Sequence, residues 1–131
     1  MAYVLDASAL LAFLQGEPGA ELVEGVLELS VVSSVNWSEV AQKAGERGVP
    51  VVPTRRQLEA LGLSFAPFGP ADAERASELW SAGRRAGLSL GDRACLALAS
   101  VLDTPALTTD RAWTELPLRE APFEVEVELL R

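Results

Sequence analysis

Asp6, Glu39, Asp92 and Asp110 are the residues whose types and spacing could do chemistry in this chain. Asp6 ends the apolar run Tyr3-Val4-Leu5 and opens Ala7-Ser8-Ala9-Leu10-Leu11-Ala12, which reads as a helix. Asp110 follows Ala106-Leu107-Thr108 in the same way. Ligands of an open α/β sheet bind beyond the carboxyl ends of its strands, so both acids point at such a site. Carboxylates gathered there repel one another unless something positive sits between them, and a divalent cation is the usual solution. Hard oxygen ligands without histidine or thiolate select Mg²⁺ or Mn²⁺ over zinc.

The chain contains no histidine. That excludes Ser-His-Asp and Cys-His hydrolysis and histidine-rich zinc sites. Carboxylate and metal remain for hydrolysis. The single cysteine, Cys95, lies in an apolar run with no base to activate it, and it fits a reducing cytoplasm.

Each acid has a structural reading as well. Asp6 and Asp110 could be plain N-caps, and Asp92 could sit in the first turn of a helix capped by Ser89. Glu39 shares a helix side with apolar neighbours, where a solvated glutamate is the ordinary outcome. Chance capping is a poor account of all four, because the cluster is costly to fold without a counter-charge.

The elements that must position these acids alternate between strand and helix. Tyr3-Val4-Leu5 reads as a strand, followed by helices from about Ser8 to Gln15 and from Ala20 to about Leu27 across Gly16-Glu17-Pro18-Gly19. Val31 to Ser34 is a second strand, and Asn36 or Ser38 could cap the helix that carries Glu39 and ends near Gly48. Thr54 to Leu61 is helical, Ser64 to Pro67 a brief strand, and Asp72 to about Arg84 an amphipathic helix. A strongly apolar helix runs from Asp92 to about Leu102. Ala106-Leu107-Thr108 is a strand, 110–115 a short helix, and Phe123 to Leu129 a last strand with alternating glutamates, which suggests an edge. The pattern predicts one α/β domain over residues 1–131 with a mainly parallel sheet.

With 131 residues, 49% of them apolar, the chain is long enough to bury a core. No apolar run approaches a membrane span, and no secretory leader is legible. The formal charge is −8, and Lys43 is the only lysine among eleven basic residues. Bulk attraction to nucleic acid is excluded, so a polyanion would be met locally, through metal and arginine.

At these residues the chain resembles the PIN-domain ribonucleases, and within them the VapC toxins of VapBC toxin–antitoxin pairs. The matching stretches are Val4 to Ala12, Gly16 to Ala20, Asn36-Trp37-Ser38-Glu39-Val40 with Lys43, Leu88 to Ala94, and Leu107-Thr108-Thr109-Asp110-Arg111. Any one is a weak motif, but they occur in family order over almost the whole chain. The resemblance implies a three-layer α/β/α sandwich and Mg²⁺- or Mn²⁺-dependent cleavage of RNA by Asp6, Glu39, Asp92 and Asp110. Asp6, Asp92 and Asp110 are the expected metal ligands, and Asp6 removal should abolish activity while relieving repulsion in the metal-free protein. Ser8 and Thr109 look like hydroxyls that orient the first and last acids. Where some members carry a further acid, this chain has Trp113 and Glu115.

Arg93, Arg111 and the pair Arg84-Arg85 are candidates to meet phosphate, although Arg93 could instead pair with a neighbouring acid and hold the site in shape, and Arg84-Arg85 could be plain surface charge. The resemblance further implies an antitoxin whose tail folds into a groove near the site. Leu11, Phe13, Leu14, Leu22, Val23, Val26, Leu27, Trp37 and Phe65 are candidate apolar surface for it. A homodimer is expected. A housekeeping RNA-processing nuclease and a catalytically silent binding module are the alternatives. A phosphatase or receiver domain is disfavoured, since Ser8 stands where the former needs an acid and no lysine follows the last strand.

Overall fold

Two rows of side chains across three short strands decide the layering. Val4 stands beside Val31 and Ala106, and Leu5 beside Val32 and Leu107. Successive side chains of a strand point to opposite faces, so the first row packs on one side of the sheet and the second on the other. Both rows are buried, which is why these strands read as unbroken apolar runs.

The computed structural model describes residues 2–84, 87–115 and 121–131. Its strands are β1 (Val4–Leu5), β2 (Val31–Ser33), β3 (Ser64–Ala66), β4 (Ala106–Thr108) and β5 (Val127–Leu129). Its α-helices are α1 (Ala7–Leu14), α2 (Ala20–Val26), α3 (Ser34–Glu46), α4 (Val51–Ala60), α5 (Pro70–Ser77), α6 (Trp80–Gly83) and α7 (Leu90–Leu102). All strand pairs are parallel, in the order β3-β2-β1-β4-β5. One core joins Leu5, Val32 and Leu107 to Leu10, Val23, Val40 and Leu58 from α1 to α4. The other joins Val4, Val31 and Ala106 to Leu79, Cys95, Leu96 and Ala99, with Leu88 and Trp113. The result is the expected three-layer α/β/α sandwich. The chain builds outward from β1 to β3 and then returns to β1's other side, so the strand order reverses between β1 and β4. Ligands of such sheets bind at that reversal.

Several boundaries differ from the sequence reading, each for a local reason. Ser33, not Asn36 or Ser38, caps α3, its hydroxyl accepting from the Val35 N–H at 3.2 Å. β2 therefore runs straight into the helix. The α4 helix starts at Val51 and carries Pro53 in its first turn, where no N–H needs an intrahelical partner. The helix expected from Asp72 to Arg84 begins at Pro70 and breaks after Ser77, whose hydroxyl binds back to the Glu74 carbonyl at 2.6 Å. Only Val127–Leu129 of the last expected strand pairs, because its neighbour β4 is three residues long.

The apolar surface expected for a partner is mostly core. Leu11, Val23 and Leu27 are buried, and Phe13, Leu14, Trp37 and Phe65 pack against them. Trp37 meets Phe65 edge-on, with ring centroids 5.2 Å apart. Only Leu22 is broadly exposed, at 46%. Among the described residues no helix is long and apolar enough to cross a membrane.

Trp113 is fully buried beneath the sheet. Trp113→Ala should cost about 3–5 kcal/mol of unfolding free energy, measured by urea denaturation. A loss below about 1 kcal/mol would mean that this side chain does not close the second core.

Candidate metal centre

Asp6, Glu39, Asp92 and Asp110 line one cavity of about 190 Å³, together with Ser8, Leu11, Asn36 and Lys43. Three of these acids are also structural caps, so the two readings offered by the sequence hold at once. Asp6 is the N-cap of α1, its Oδ1 accepting from the Ala9 N–H at 2.9 Å and from Ser8 Oγ at 2.7 Å. Its Oδ2 accepts from Thr108 Oγ1 at 2.5 Å. Those three bonds leave one of its four lone-pair positions, on Oδ2. Asp92 Oδ2 accepts from the Ser89 N–H at 2.9 Å while Ser89 Oγ accepts from the Asp92 N–H, a reciprocal capping box. Asp110 Oδ1 accepts from the Ala112 N–H at 3.0 Å. Capping fixes each carboxyl group and leaves oxygen for the cavity.

Glu39 arrives differently, from the middle of α3. Its carboxylate rests against Gly91 in the first turn of α7, where a Cβ would stand 1.8 Å from Glu39 Oε1. The Asn36 side chain, one turn earlier on α3, donates from Nδ2 to the Gly91 carbonyl at 3.0 Å and stabilises the ionised Glu39. The sequence offers Asn36 as a helix cap and both residues within matching stretches, but neither as a site residue, although Asn36 lies three residues before Glu39 and therefore on its face.

The β1 and β4 ends are laced by hydroxyls. The Thr109 N–H donates to Ser8 Oγ at 3.0 Å and the Asp110 N–H to Thr108 Oγ1 at 3.0 Å. The hydroxyl that reaches an acid from β4 is thus that of Thr108, not of Thr109. Thr109, the residue expected to orient Asp110, follows the end of β4, and it is the Thr108 hydroxyl that meets both Asp6 Oδ2 and the Asp110 N–H.

Burial and mutual repulsion both act on these acids. Burial, chiefly, raises the Asp6 pKa above its ordinary value against the opposing hydrogen bonds from Thr108, Ser8 and Ala9, with Asp92 adding repulsion. Glu39 is raised by burial and then by the charges of Asp92 and Asp6, while Lys43 acts the other way. Cys95, beneath β1, is pushed well above its usual value by complete burial and then by the charges of Asp6, Asp92 and Glu39, so it stays a thiol. Among the described residues no three acidic or sulfur side chains are disposed to ligate one ion together. The cavity nevertheless suits Mg²⁺ or Mn²⁺, because Mg²⁺ keeps several waters and takes only one or two carboxylates directly. At about 30 Å³ per water, there is room for the ion and part of its shell. Glu115 is exposed and does not line the cavity.

Among the described residues, the candidate arginines stand apart from the cavity. Arg93 follows Asp92 by about 100° around α7 and so faces away from it. Its guanidinium donates to the Ala76 carbonyl at 3.4 Å and lies 5.7 Å from the Trp80 ring centroid. Among the described residues it pairs with no acid, and Arg55–Glu59 is the one ion pair there. Arg111 and Arg84 are exposed and line no part of the cavity, and Arg85 lies outside the described residues. Instead Lys43, Arg47 and Arg131 line a second groove of about 320 Å³ together with Thr109 and the acids Glu17 and Glu46, and it shares Ser8, Leu11 and Lys43 with the acidic cavity. Lys43 and Arg47 stand four and eight residues after Glu39, the helical spacing that could have revealed them.

A parallel sheet with acids at its strand-order reversal fits a PIN-type fold, and the comparisons agree. The PIN domain family matches residues 3–117, and the chain belongs to that family. A Ribonuclease VapC of Mycolicibacterium smegmatis is 34% identical over 119 residues, covering 84% of this chain and 92% of the relative. Ribonuclease VapC30 of Mycobacterium tuberculosis is 34% identical over 113 residues, covering 79% and 86%. In fold, the chain is similar to the DNA-bound VapBC of Salmonella typhimurium, with a TM-score of 0.72 at 13% identity, over 100% of this chain and 99% of the other.

Proposed function

We propose that this protein is a Mg²⁺- or Mn²⁺-dependent endoribonuclease, the toxin of a toxin–antitoxin pair. The observation that carries the chemistry is the single cavity lined by all four acids. Kinship with the VapC ribonucleases supports RNA as substrate. Asp6, Asp92 and Asp110 would hold the cation, some of them through water. When bound, the cation supplies positive charge that offsets the carboxylates and the charge developing on the phosphoryl oxygens. Asp6, locked by three hydrogen bonds, orients. Glu39 is the acid with no cap to form; its charge would add to the hold on the hydrated cation through water, and its raised pKa suits a general base. Its carboxylate would take the proton of the attacking water. In-line attack then leaves a 5′-phosphate and a 3′-hydroxyl.

The groove of Lys43, Arg47 and Arg131 supports a path for the RNA backbone beside the acids. Lys43→Ala/Arg47→Ala should weaken RNA binding and lower the slope of log K against log salt by about 1–2, at roughly 0.7 per phosphate contact on a single strand. An unchanged slope would place the backbone elsewhere.

A further cavity of about 300 Å³ between α1, α3 and α4, lined by Leu11, Leu14, Ala44 and Val49 with Arg47, adjoins that groove. It suits the apolar face of an antitoxin tail. Exposed Trp80, Leu90 and Val101 offer surface for a homodimer. The deciding experiment incubates purified protein with defined RNAs in Mg²⁺, Mn²⁺ or EDTA and analyses the ends. Cyclic phosphates formed in EDTA would overturn the reading. Purification from the native locus without a small companion protein, in cells that tolerate the free enzyme, would favour a housekeeping nuclease.

A further inference from the structure

We infer that Gly91 and Asn36 are positioning residues that seat Glu39 in the metal centre, a role that rests on the metal-binding reading above. The α3 and α7 helices pack against each other, yet the Glu39 side chain must pass between them to reach Asp6 and Asp92. It does so because residue 91 has no side chain. A Cβ there would stand 1.8 Å from Glu39 Oε1 and 2.9 Å from Glu39 Cδ. No contact of that length survives, so any larger residue moves the carboxylate. Gly91 takes no left-handed backbone angle, and its helical conformation does not call for glycine. The missing side chain is explained by the space that Glu39 fills.

Asn36 closes the same slot from the other side. It is 1% exposed, and its Nδ2 ties α3 to α7 through the Gly91 carbonyl at 3.0 Å. Its Oδ1 is buried with no hydrogen-bond partner, and the residue lines the acidic cavity. A buried carbonyl oxygen left without a donor is costly. A water of a cation's shell would supply that donor. The slot therefore does two things: it aims the carboxylate of Glu39, and it offers an acceptor to the hydrated ion.

The test is a double-mutant cycle on Mn²⁺ affinity, measured by calorimetry on folded protein. Gly91→Ala should bind Mn²⁺ about 10- to 100-fold more weakly, the usual loss when a supporting residue of a metal site is changed. Its melting temperature should stay level or rise, since alanine favours a helix over glycine. In a Glu39→Ala background the same substitution should change Mn²⁺ affinity less than twofold. Asn36→Ala should also weaken Mn²⁺ binding, and keeps the test open should Gly91→Ala fail to fold. Equal affinities for wild type, Gly91→Ala and Asn36→Ala would overturn the inference. So would a Gly91→Ala loss that persists in full without Glu39, or a crystal structure of Gly91→Ala with the Glu39 carboxylate unmoved. If wild type itself binds no Mn²⁺, the metal-binding reading fails first, and the crystal structure still judges the seating of Glu39.

Discussion

Asp6→Asn should lower RNA cleavage by on the order of 10³-fold or more, the equivalent of roughly 4 kcal/mol in the transition state, while raising the stability of the metal-free protein at neutral pH. Asparagine is as good an N-cap as aspartate, so the Ala9 N–H keeps its acceptor and α1 its start. The Thr108 hydroxyl, which now donates to Asp6 Oδ2, can turn and accept from the new amide. What disappears is a buried negative charge beside Asp92 and Glu39. Asp6→Ala is a different experiment. It loses the cap, about 0.5–2 kcal/mol, and leaves a buried N–H and a buried hydroxyl without their acceptor. The expectation that removing Asp6 simply relieves repulsion therefore holds for asparagine and not for alanine. Single-turnover cleavage and urea denaturation in EDTA read the two effects separately. Wild-type cleavage by Asp6→Asn would remove Asp6 from the chemistry.

The stability of the metal-free protein should depend on pH through the same two acids, in a direction opposite to that of a salt-bridged carboxylate. Asp6 and Glu39 both have pKa values raised in the folded state. The fold thus favours their protonated forms, and the stability they contribute is present below about pH 4, the unfolded value. It is lost as pH rises through their folded values. Asp6→Asn/Glu39→Gln should match wild type near pH 3 and grow progressively more stable than it toward pH 7. Divalent cation should reverse the deficit. At 100 times its dissociation constant, Mn²⁺ adds about 2.7 kcal/mol to wild type at pH 7 and almost nothing to the double variant. Urea midpoints across pH 3–8, with EDTA or Mn²⁺, measure both. A stability difference that stays constant with pH, or equal stabilisation of both proteins by Mn²⁺, would contradict the shared cavity.

Local chemistry made much of this legible from sequence. An apolar triplet followed by an acid and a helical run is a statement about a few adjacent residues, and Asp6 sits in one; Asp92 stands in the first turn of an apolar helix, and Asp110 just after a short strand. Their caps form as those neighbours require. The missing histidine narrowed the chemistry before any fold was considered. The resemblance then supplied the family, which the comparisons bear out.

Convergence needed the tertiary structure. Asp6 and Thr108 bond across 102 positions because β4 returns to lie beside β1, and no local pattern says which strand will be its neighbour. That Thr108, rather than the expected Thr109, meets the Asp110 N–H as well as Asp6 follows from where β4 ends beside β1. Arg93 and Asp92 are adjacent in sequence and point apart in space, because a helix turns about 100° per residue. Lys43, Arg47 and Arg131 meet only once α3 lies beside the last strand's end. Gly91 is the extreme case. A glycine announces nothing but the absence of a side chain, and what that absence holds, here the carboxylate of Glu39, is decided by the helix that packs across it.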